Sequence, residues 1–275
     1  MDIRLIAMDL DGTLLSDGQA IPEENVAALA ECARRGIHLA IASGRSFASA
    51  RMFARRMDLN CAILSCNGAR VDLTPFGPVA WERVMPADES ALVHRSLAAL
   101  GAPFMCYAGS RIYVHNGAAL GRRAHAPGVQ WIDGYSQEYI YDEARLLAEG
   151  VPNAYKYVAF SDDAQLMARV RGALAGLPVN VASSWWDNLE IMGQGVNKGA
   201  ALAALAERLG VRREQVMAFG DQLNDREMLT FAGLPVAMGN AIDELKAIAA
   251  VVAAPCHEGG VGRAIERYAL GGERL

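Results

Sequence analysis

Four short apolar runs constrain this chain more than any other feature of its sequence. A run of this kind is typical of a strand that is buried on both faces of a parallel sheet. Stretches with helical spacing separate the first three runs, at residues 22–35 and 43–57, so the pattern predicts an open α/β sheet. The runs are Ile3–Asp9, Ile37–Ala42, Cys61–Ser65 and Val216–Gly220.

The middle of the chain has a different pattern. After a predicted helix at 88–100, two short runs around Ala108-Gly109 predict a hairpin, and a less regular stretch extends to about Gly150. A strand, a helix and two further strands are expected between 155 and 192. We therefore expect an α+β domain at 83–188, inserted into an α/β core that consists of residues 1–82 and 189–275.

Elements of the core are expected to resume at Asn197, which is placed to cap an alanine-rich helix that ends near Leu209. A short helix at 225–231 and strands at 234–238 and 250–253 follow in the prediction. The dipeptide Asn67-Gly68, directly after the third run, predicts a tight turn.

Composition and charge exclude several classes of protein. The 275 residues carry a net charge of −5 without a basic block, which argues against a nucleic-acid surface. The longest apolar run, Ala247–Ala254, is too short to span a membrane, and the start of the chain does not resemble a secretory signal. The five cysteines include no C-x-x-C pair, so neither a zinc ribbon nor a disulfide framework is expected. We expect a cytoplasmic protein.

Two carboxylates at the end of the first run form the strongest chemical signal. Asp9 and Asp11 are two residues apart, so in an extended segment they face the same side, and Gly12 permits a sharp turn behind them. Two close carboxylates repel each other unless a proton or a metal ion neutralises one of them. This favours a pair in which one group attacks and the other carries a proton. An Asx turn with a helix cap would explain one aspartate but not both.

A third carboxylate is expected at the same edge of the sheet. Asp221 ends the last apolar run, and Asn224 and Asp225 fall in the first turn of the next helix. Helix capping alone is an equally good explanation of these residues when they are taken by themselves. Together with Asp9 and Asp11, however, they predict a site for a hard divalent cation such as Mg²⁺.

Two further positions indicate an anion site. Ser43 and Gly44 follow the second run at a predicted helix start, where backbone N–H groups can bind an anion, although an ordinary N-cap is the alternative. Lys198 places a positive charge near the start of a helix, where it is disfavoured. A phosphate oxygen or an aspartate would compensate that charge.

These motifs together resemble the haloacid dehalogenase superfamily, and within it the Cof-type, sugar-phosphatase-like hydrolases. Two departures are small: Ser43 stands where threonine is also common, and residues 255–261 match the family only loosely. The resemblance extends over essentially the whole chain. It is carried by Asp9–Thr13, Ser43, Lys198 and Gly220–Asp225, and by the Cof-type segments Asn67–Ala69, Gly195–Gly199 and Met238–Ala241.

The resemblance implies a Rossmann-like parallel-sheet core with an inserted α+β cap domain, and a role for each residue of the site. Asp9 would be the nucleophile that forms an aspartyl-phosphate, and Asp11 the general acid and then the base. The carboxylates of Asp9 and Asp221 and the backbone carbonyl of Asp11 would bind Mg²⁺. The phosphoryl group would be held by Ser43, Lys198, Asn224 and the backbone N–H groups of Leu10 and Gly44, with Asp225 and Asn67 supporting these residues.

The expected activity is Mg²⁺-dependent hydrolysis of a phosphomonoester. The expected partner is a small phosphorylated metabolite, such as a sugar phosphate, a nucleotide, flavin mononucleotide or pyridoxal phosphate, with neither nucleic acid nor membrane involved. A phosphomutase or phosphotransferase would use the same aspartyl-phosphate. A sensor that binds a phosphorylated ligand is the alternative outside enzymes.

Overall fold

A computed structural model describes residues 2–16, 20–123, 127–132, 134–141 and 151–271, without the side chains of residues 122, 123 and 135. The chain forms two compact units, of which the first comprises Met1–Trp81 and Asn197–Leu275 and the second Glu82–Val196. No helix in the described ranges has the length and apolar character needed to cross a bilayer.

Strands and helices alternate in the first unit, whereas strands predominate in the second. In chain order the elements are β1 (Leu5–Met8), α1 (Glu23–Arg34), β2 (His38–Ala42), α2 (Phe47–Arg56), β3 (Ala62–Ser65), β4 (Arg70–Asp72), β5 (Val79–Glu82), α3 (Ala87–Ala99), β6 (Phe104–Ala108), β7 (Arg111–His115), β8 (Gly128–Ile132), β9 (Tyr135–Ile140), β10 (Lys156–Phe160), α4 (Ala164–Leu174), β11 (Val179–Ala182), β12 (Asn188–Gly193), α5 (Lys198–Arg208), β13 (Val216–Gly220), α6 (Arg226–Phe231), β14 (Leu234–Ala237), α7 (Asp243–Ile248), β15 (Val251–Val252) and α8 (Gly260–Tyr268).

The first unit contains an eight-stranded sheet in the order β15-β14-β13-β1-β2-β3-β4-β5. Its strands from β15 to β3 are parallel, and β4 runs antiparallel to β3. Every residue of β1 is buried, with Leu5 paired to Val216 on one side and to His38 on the other. This confirms the predicted α/β core. Because β1, β2 and β13 are parallel neighbours, the polar residues that follow them lie at one edge of the sheet.

The second unit contains a seven-stranded sheet in the order β11-β12-β10-β6-β7-β9-β8, in which the pairs are antiparallel except β7 with β9. Side chains of α3 and α4, including Val93 and Val170, pack with Phe104, Tyr157 and Ile191 of the sheet in one apolar cluster. The predicted α+β character is therefore confirmed.

The boundaries of the inserted segment differ from the expected ones at its second end. The chain re-enters the first unit at Asn197, whereas the sequence analysis placed the return at residue 189. The reason is β12, which pairs with β10 and β11 of the second sheet.

Two strands also occupy part of the stretch that was expected to be irregular. The residues of β8 are exposed or half-buried, so this edge strand lacks the apolar run by which the other strands were recognised. The rest of that stretch, residues 142–150, lies outside the described residues.

The helix at the end of the described chain is held against the first helix by a buried asparagine. Asn25 of α1 is fully buried, and its Oδ1 accepts a 2.8 Å hydrogen bond from the backbone N–H of Gly262 in α8. Its Nδ2 donates to the carbonyl of Leu14 at 3.4 Å. A Cβ at residue 262 would lie 2.5 Å from the carbonyl oxygen of Glu24, so the two helices cross too closely for a side chain there.

Replacing Asn25 by alanine would leave a buried N–H and a buried carbonyl without this partner. We expect Asn25→Ala to lower the free energy of unfolding by about 1–3 kcal/mol. Urea denaturation measures the effect, and Asn60→Ala at an exposed position is the matched control. Equal stability of the two variants would contradict the structural role of Asn25.

Candidate active site

A buried lysine lies at the centre of the polar edge of the first sheet. The Lys198 Nζ atom is 2.6 Å from Asp9 Oδ1 and 2.6 Å from Asp225 Oδ1. The lysine side chain is fully buried. A buried ammonium requires close anionic partners, and the two aspartates supply them. The positive charge of Lys198 near the start of α5 is therefore compensated by aspartates. An aspartate was one of the two predicted partners, the other being a phosphate oxygen.

Local packing places Lys198 at this point. Asn197 caps α5, because its side chain accepts a 2.7 Å hydrogen bond from the backbone N–H of Ala200. A Cβ at Gly199 would lie 2.4 Å from the backbone of Glu227, so α5 and α6 approach each other closely here. The predicted cap at Asn197 is confirmed.

Asp225 uses both of its carboxylate oxygens inside the protein. Its Oδ1 binds Lys198, while its Oδ2 accepts hydrogen bonds from the backbone N–H groups of Asp221, at 2.9 Å, and of Gln222, at 3.2 Å. A Cβ at Gly220 would lie 2.4 Å from the Asp225 Cβ. Asp225 therefore orients both the lysine and the backbone that carries Asp221.

The loop after β1 wraps around Asp221. Thr13 Oγ1 donates a 2.9 Å hydrogen bond to Asp221 Oδ1. A Cβ at Gly12 would lie 2.3 Å from Asp221 Oδ2, and the φ angle of Gly12 is 81°, which favours glycine. The sharp turn expected at Gly12 thus serves to admit the carboxylate of Asp221.

The three carboxyl groups of this site outnumber its one ammonium group. Carboxylate oxygens of Asp9, Asp221 and Asp225 lie within 4.8 Å of one another, and all three residues are buried. Burial raises the pKa of Asp9 well above its usual range, although Lys198 opposes the shift, and burial and the nearby Asp225 raise the pKa of Asp221 to about 7. Although burial disfavours its charge, Lys198 has a raised pKa because of Asp225 and Asp9.

Such a donor set suits a hard divalent cation. Magnesium and calcium ions bind oxygen ligands, above all carboxylates, and a dication would balance the excess negative charge that one ammonium leaves. Both oxygens of Asp225 accept hydrogen bonds, from Lys198 and from two backbone N–H groups, whereas Lys198 contacts one oxygen of Asp9 and Thr13 one oxygen of Asp221. The chemistry of the residues therefore fits a divalent metal ion.

Asp11, which is predicted to face the same side as Asp9, differs from it in exposure and in its partner. Its side chain is 57% exposed, and Arg45 holds it through Nε to Oδ2 at 2.7 Å and through Nη2 to Oδ1 at 2.6 Å. Because β1 ends at Met8, the alternation of a strand does not extend to these residues. The negative charge of Asp11 is the smallest of the contributions that raise the pKa of Asp9.

The residues around Ser43 also correct the sequence analysis. Helix α2 begins at Phe47 and is capped by Ser46, so Ser43 lies before the helix and is not its N-cap. Ser43 is buried, and its Oγ accepts a hydrogen bond from the backbone N–H of Arg45 at 3.2 Å. The segment after β2 therefore brings Arg45 to the site, a residue that was not among the predicted site residues.

Two asparagines join the loops on the other side of Lys198. Asn224 Nδ2 donates to Asn67 Oδ1 at 3.3 Å, and both side chains are buried. Asn67 has a φ angle of 56° and Gly68 one of 87°, in agreement with the predicted tight turn. A Cβ at Gly68 would lie 2.7 Å from the carbonyl of Asn197, so this turn packs against the start of α5.

Asn240 connects the loop after β1 to the segment that begins at Pro255. Its Nδ2 donates to the carbonyl of Gly12 at 2.8 Å, and its Oδ1 accepts from the backbone N–H of Cys256 at 2.9 Å. The loosely matching segment 255–261 thus supports the site through Asn240.

The raised pKa of Asp221 predicts a pH dependence of stability in the presence of a chelator. An unfolded aspartate titrates near pH 4, so between about pH 4 and 7 the folded state holds a proton that the unfolded state has lost. Folding stability therefore falls as the pH rises through this window. We expect urea denaturation from pH 5 to 8 to show this decline, and Asp221→Asn to make it shallower. Asp58→Asn, at an exposed position, should leave the slope unchanged; an equal slope in all three proteins would contradict the assignment.

Known proteins match the chain over nearly its whole length. A family profile described as haloacid dehalogenase-like hydrolase matches residues 6–265. The 5-amino-6-(5-phospho-D-ribitylamino)uracil phosphatase of Bacillus subtilis strain 168 is 31% identical over 271 residues, which cover 98% of this chain and 97% of the relative. The HMP-PP phosphatase of Cronobacter sakazakii is 33% identical over 248 residues, 89% of this chain and 87% of the relative.

A solved structure agrees with these matches. A haloacid dehalogenase-like hydrolase from B. subtilis superimposes with a TM-score of 0.84 at 26% identity, covering 97% of this chain and all of that one (100%). The chain therefore belongs to the haloacid dehalogenase-like hydrolases, among the Cof-like members of that superfamily, and it is a phosphatase.

Proposed function

We propose that this chain is a Mg²⁺-dependent phosphomonoester hydrolase that works through an aspartyl-phosphate on Asp9. The observation that carries the proposal is the position of Asp9, which is paired with the buried Lys198 and lies beside Asp221. Phosphoryl transfer depends mainly on positioning and on neutralising the charge of the phosphoryl oxygens. A fixed carboxylate next to a buried ammonium and a cation site meets both needs.

The reaction has two steps. In the first, a carboxylate oxygen of Asp9 attacks phosphorus, the bond to the leaving oxygen breaks, and Asp11 donates a proton to that oxygen. In the second, Asp11 takes a proton from a water molecule, whose oxygen attacks phosphorus and releases inorganic phosphate and the free Asp9 carboxylate. Asp11 suits this exchange because its side chain is exposed, unlike that of Asp9.

The remaining residues of the site bind and orient. Lys198, Ser43, Asn224 and the backbone N–H groups of Leu10 and Gly44 hold the phosphoryl group, and Asp225 and Asn67 hold two of these residues in place. Asp9, Asp221 and the backbone carbonyl of Asp11 would hold Mg²⁺, whose charge would neutralise the phosphoryl oxygens when it is bound.

The substrate is a small phosphorylated metabolite. The names of two relatives support this class, since one acts on a phosphoribityl derivative of a uracil and the other on HMP-PP. Sugar phosphates, nucleotides, flavin mononucleotide and pyridoxal phosphate are the compounds to test first. Similarity of fold does not select among them.

Release of inorganic phosphate from this panel tests the activity, with Mg²⁺ and with excess chelator. We expect release from at least one compound with Mg²⁺ and none with chelator. Transfer of the phosphate to a second hydroxyl without release would indicate a phosphotransferase instead. Tight binding of a compound without turnover, in folded and metal-loaded protein, would contradict an enzymatic role.

The variant Asp9→Asn tests the nucleophile. We expect kcat to fall about 1,000-fold or more, since the covalent intermediate cannot form. The fold should persist, because Lys198 keeps its ion pair with Asp225, and circular dichroism checks this. Asp58→Asn makes the same chemical change at an exposed position and should retain wild-type kcat. Normal turnover by Asp9→Asn would rule out the proposed intermediate.

A further inference from the structure

Arg45 forms a bidentate ion pair with the carboxylate of Asp11. Its Nε lies 2.7 Å from Asp11 Oδ2, and its Nη2 lies 2.6 Å from Asp11 Oδ1. A bidentate pair of this kind fixes the plane and the direction of the carboxylate, which a single point charge does not do. The carboxylate that we assign to proton transfer is therefore oriented by a side chain that has no role in the proposed chemistry.

The guanidinium is itself held in position by helix α2. Its Nη1 donates a 3.1 Å hydrogen bond to Ser49 Oγ, and its central carbon lies 4.9 Å from the centre of the Phe53 ring. The backbone of Arg45 is anchored as well, since its N–H donates to Ser43 Oγ and its carbonyl accepts from the N–H of Cys66 at 2.9 Å. The arginine thus has a defined position from which to direct Asp11.

The exposure of Asp11 makes this support necessary. A side chain that is 57% exposed has little packing to select a rotamer, so a fixed direction must come from a specific contact. Misplacing a reacting group by about 1 Å can cost about 100-fold in rate. An unsupported Asp11 would therefore be a poor proton donor.

We propose that Arg45 is a positioning residue that directs the Asp11 carboxyl toward the leaving oxygen of the substrate. The inference rests on the proposed function, in which Asp11 protonates that oxygen. When Asp11 carries the proton, one of the two contacts with Arg45 opens, and the other keeps the carboxyl oriented. The same fork orients the carboxylate when it accepts the proton of water.

The dependence of the rate on the leaving group separates this role from phosphate binding. A good leaving group departs without a proton, so only poor leaving groups need an oriented Asp11. A contact to the phosphoryl group would matter equally for every ester. The quantity to compare is kcat/KM, because it reports the steps up to release of the leaving group and not the later attack of water.

The experiment measures kcat/KM for para-nitrophenyl phosphate, for phenyl phosphate and for the alkyl phosphate that the enzyme hydrolyses fastest. We expect Arg45→Ala to lower kcat/KM by about 10–100-fold for the last two and by less than about threefold for the first. Arg45→Lys should recover part of the loss, since a lysine keeps the charge but not the fork. Ser49→Ala should show a smaller loss with the same preference for poor leaving groups.

Arg51→Ala is the matched control. Arg51 lies in α2, the helix that contains Ser49 and Phe53, and its Nε donates to the carbonyl of Pro75 at 2.6 Å, so its removal costs an arginine contact of a different kind. We expect this variant to keep the wild-type kcat/KM for all three esters. Circular dichroism and thermal melting check that each variant is folded.

A uniform loss in Arg45→Ala across the three esters would overturn the inference and leave the proposed function intact. Failure of the wild type to release phosphate from any ester would instead contradict the proposed function itself. If Arg45→Ala does not fold, Arg45→Lys and Ser49→Ala decide the question, and a loss in them that is independent of the leaving group would overturn it.

Discussion

The ion pairs of the buried Lys198 ammonium with Asp9 and Asp225 are the interactions on which the first unit depends. It joins three parts of the chain that are distant in sequence: the end of β1 at Asp9, the start of α5, and the loop after β13 at Asp225. Removing one partner of a buried ion pair costs about 3–5 kcal/mol, because the other charge is left uncompensated. The contact that shapes the site therefore cannot lose one of its charges without a loss of folding stability.

The site is nevertheless not electrically balanced. Three clustered carboxylates face one ammonium, and the pKa of Asp221 rises to about 7 as a consequence of burial and of Asp225. Within the described residues, glycines at 12 and 220 let the backbone pack against these carboxylates without a side chain between them. Dense packing thus keeps these carboxyl groups close together, and a single dication can neutralise the negative charge of their ionised forms.

Much of this arrangement was predictable because local and long-range signals agreed. The strand Val216–Gly220 has the predicted bounds, and parallel pairing then requires that Asp9 and Asp221 meet. The unfavourable position of Lys198 indicated an anionic partner before any contact was known. The Cβ-free turn at Gly12 was expected as well, although its close approach to Asp221 was not.

The features that were not predicted depend on contacts between distant residues, which the spacing of residue types along the sequence does not encode. The direction of the Arg45 side chain depends on its contacts with Ser49 and Phe53 of α2, so the link to Asp11 could not be inferred from position 45. Strand β12 is buried along its whole length, as a strand of either sheet could be, and only its pairing assigns it to the second unit. The hairpin of β8 and β9 lacked a buried run, although the dipeptide Asp133-Gly134 is a common hairpin signal.

The first unit is formed by two segments that are far apart in sequence, and this determines when its contacts can form during synthesis. Thr13 and Asp221, which share a hydrogen bond, are 208 residues apart, and β1 has its neighbour β13 only after the entire second unit has been synthesised. A ribosome adds about 5–20 residues per second, so the end of β1 waits roughly 10–40 seconds for this partner. Segment 82–196 is complete before then, and Asp9 meets Lys198 and Asp225 only after it. The catalytic centre can therefore assemble only after the whole of the second unit has been synthesised.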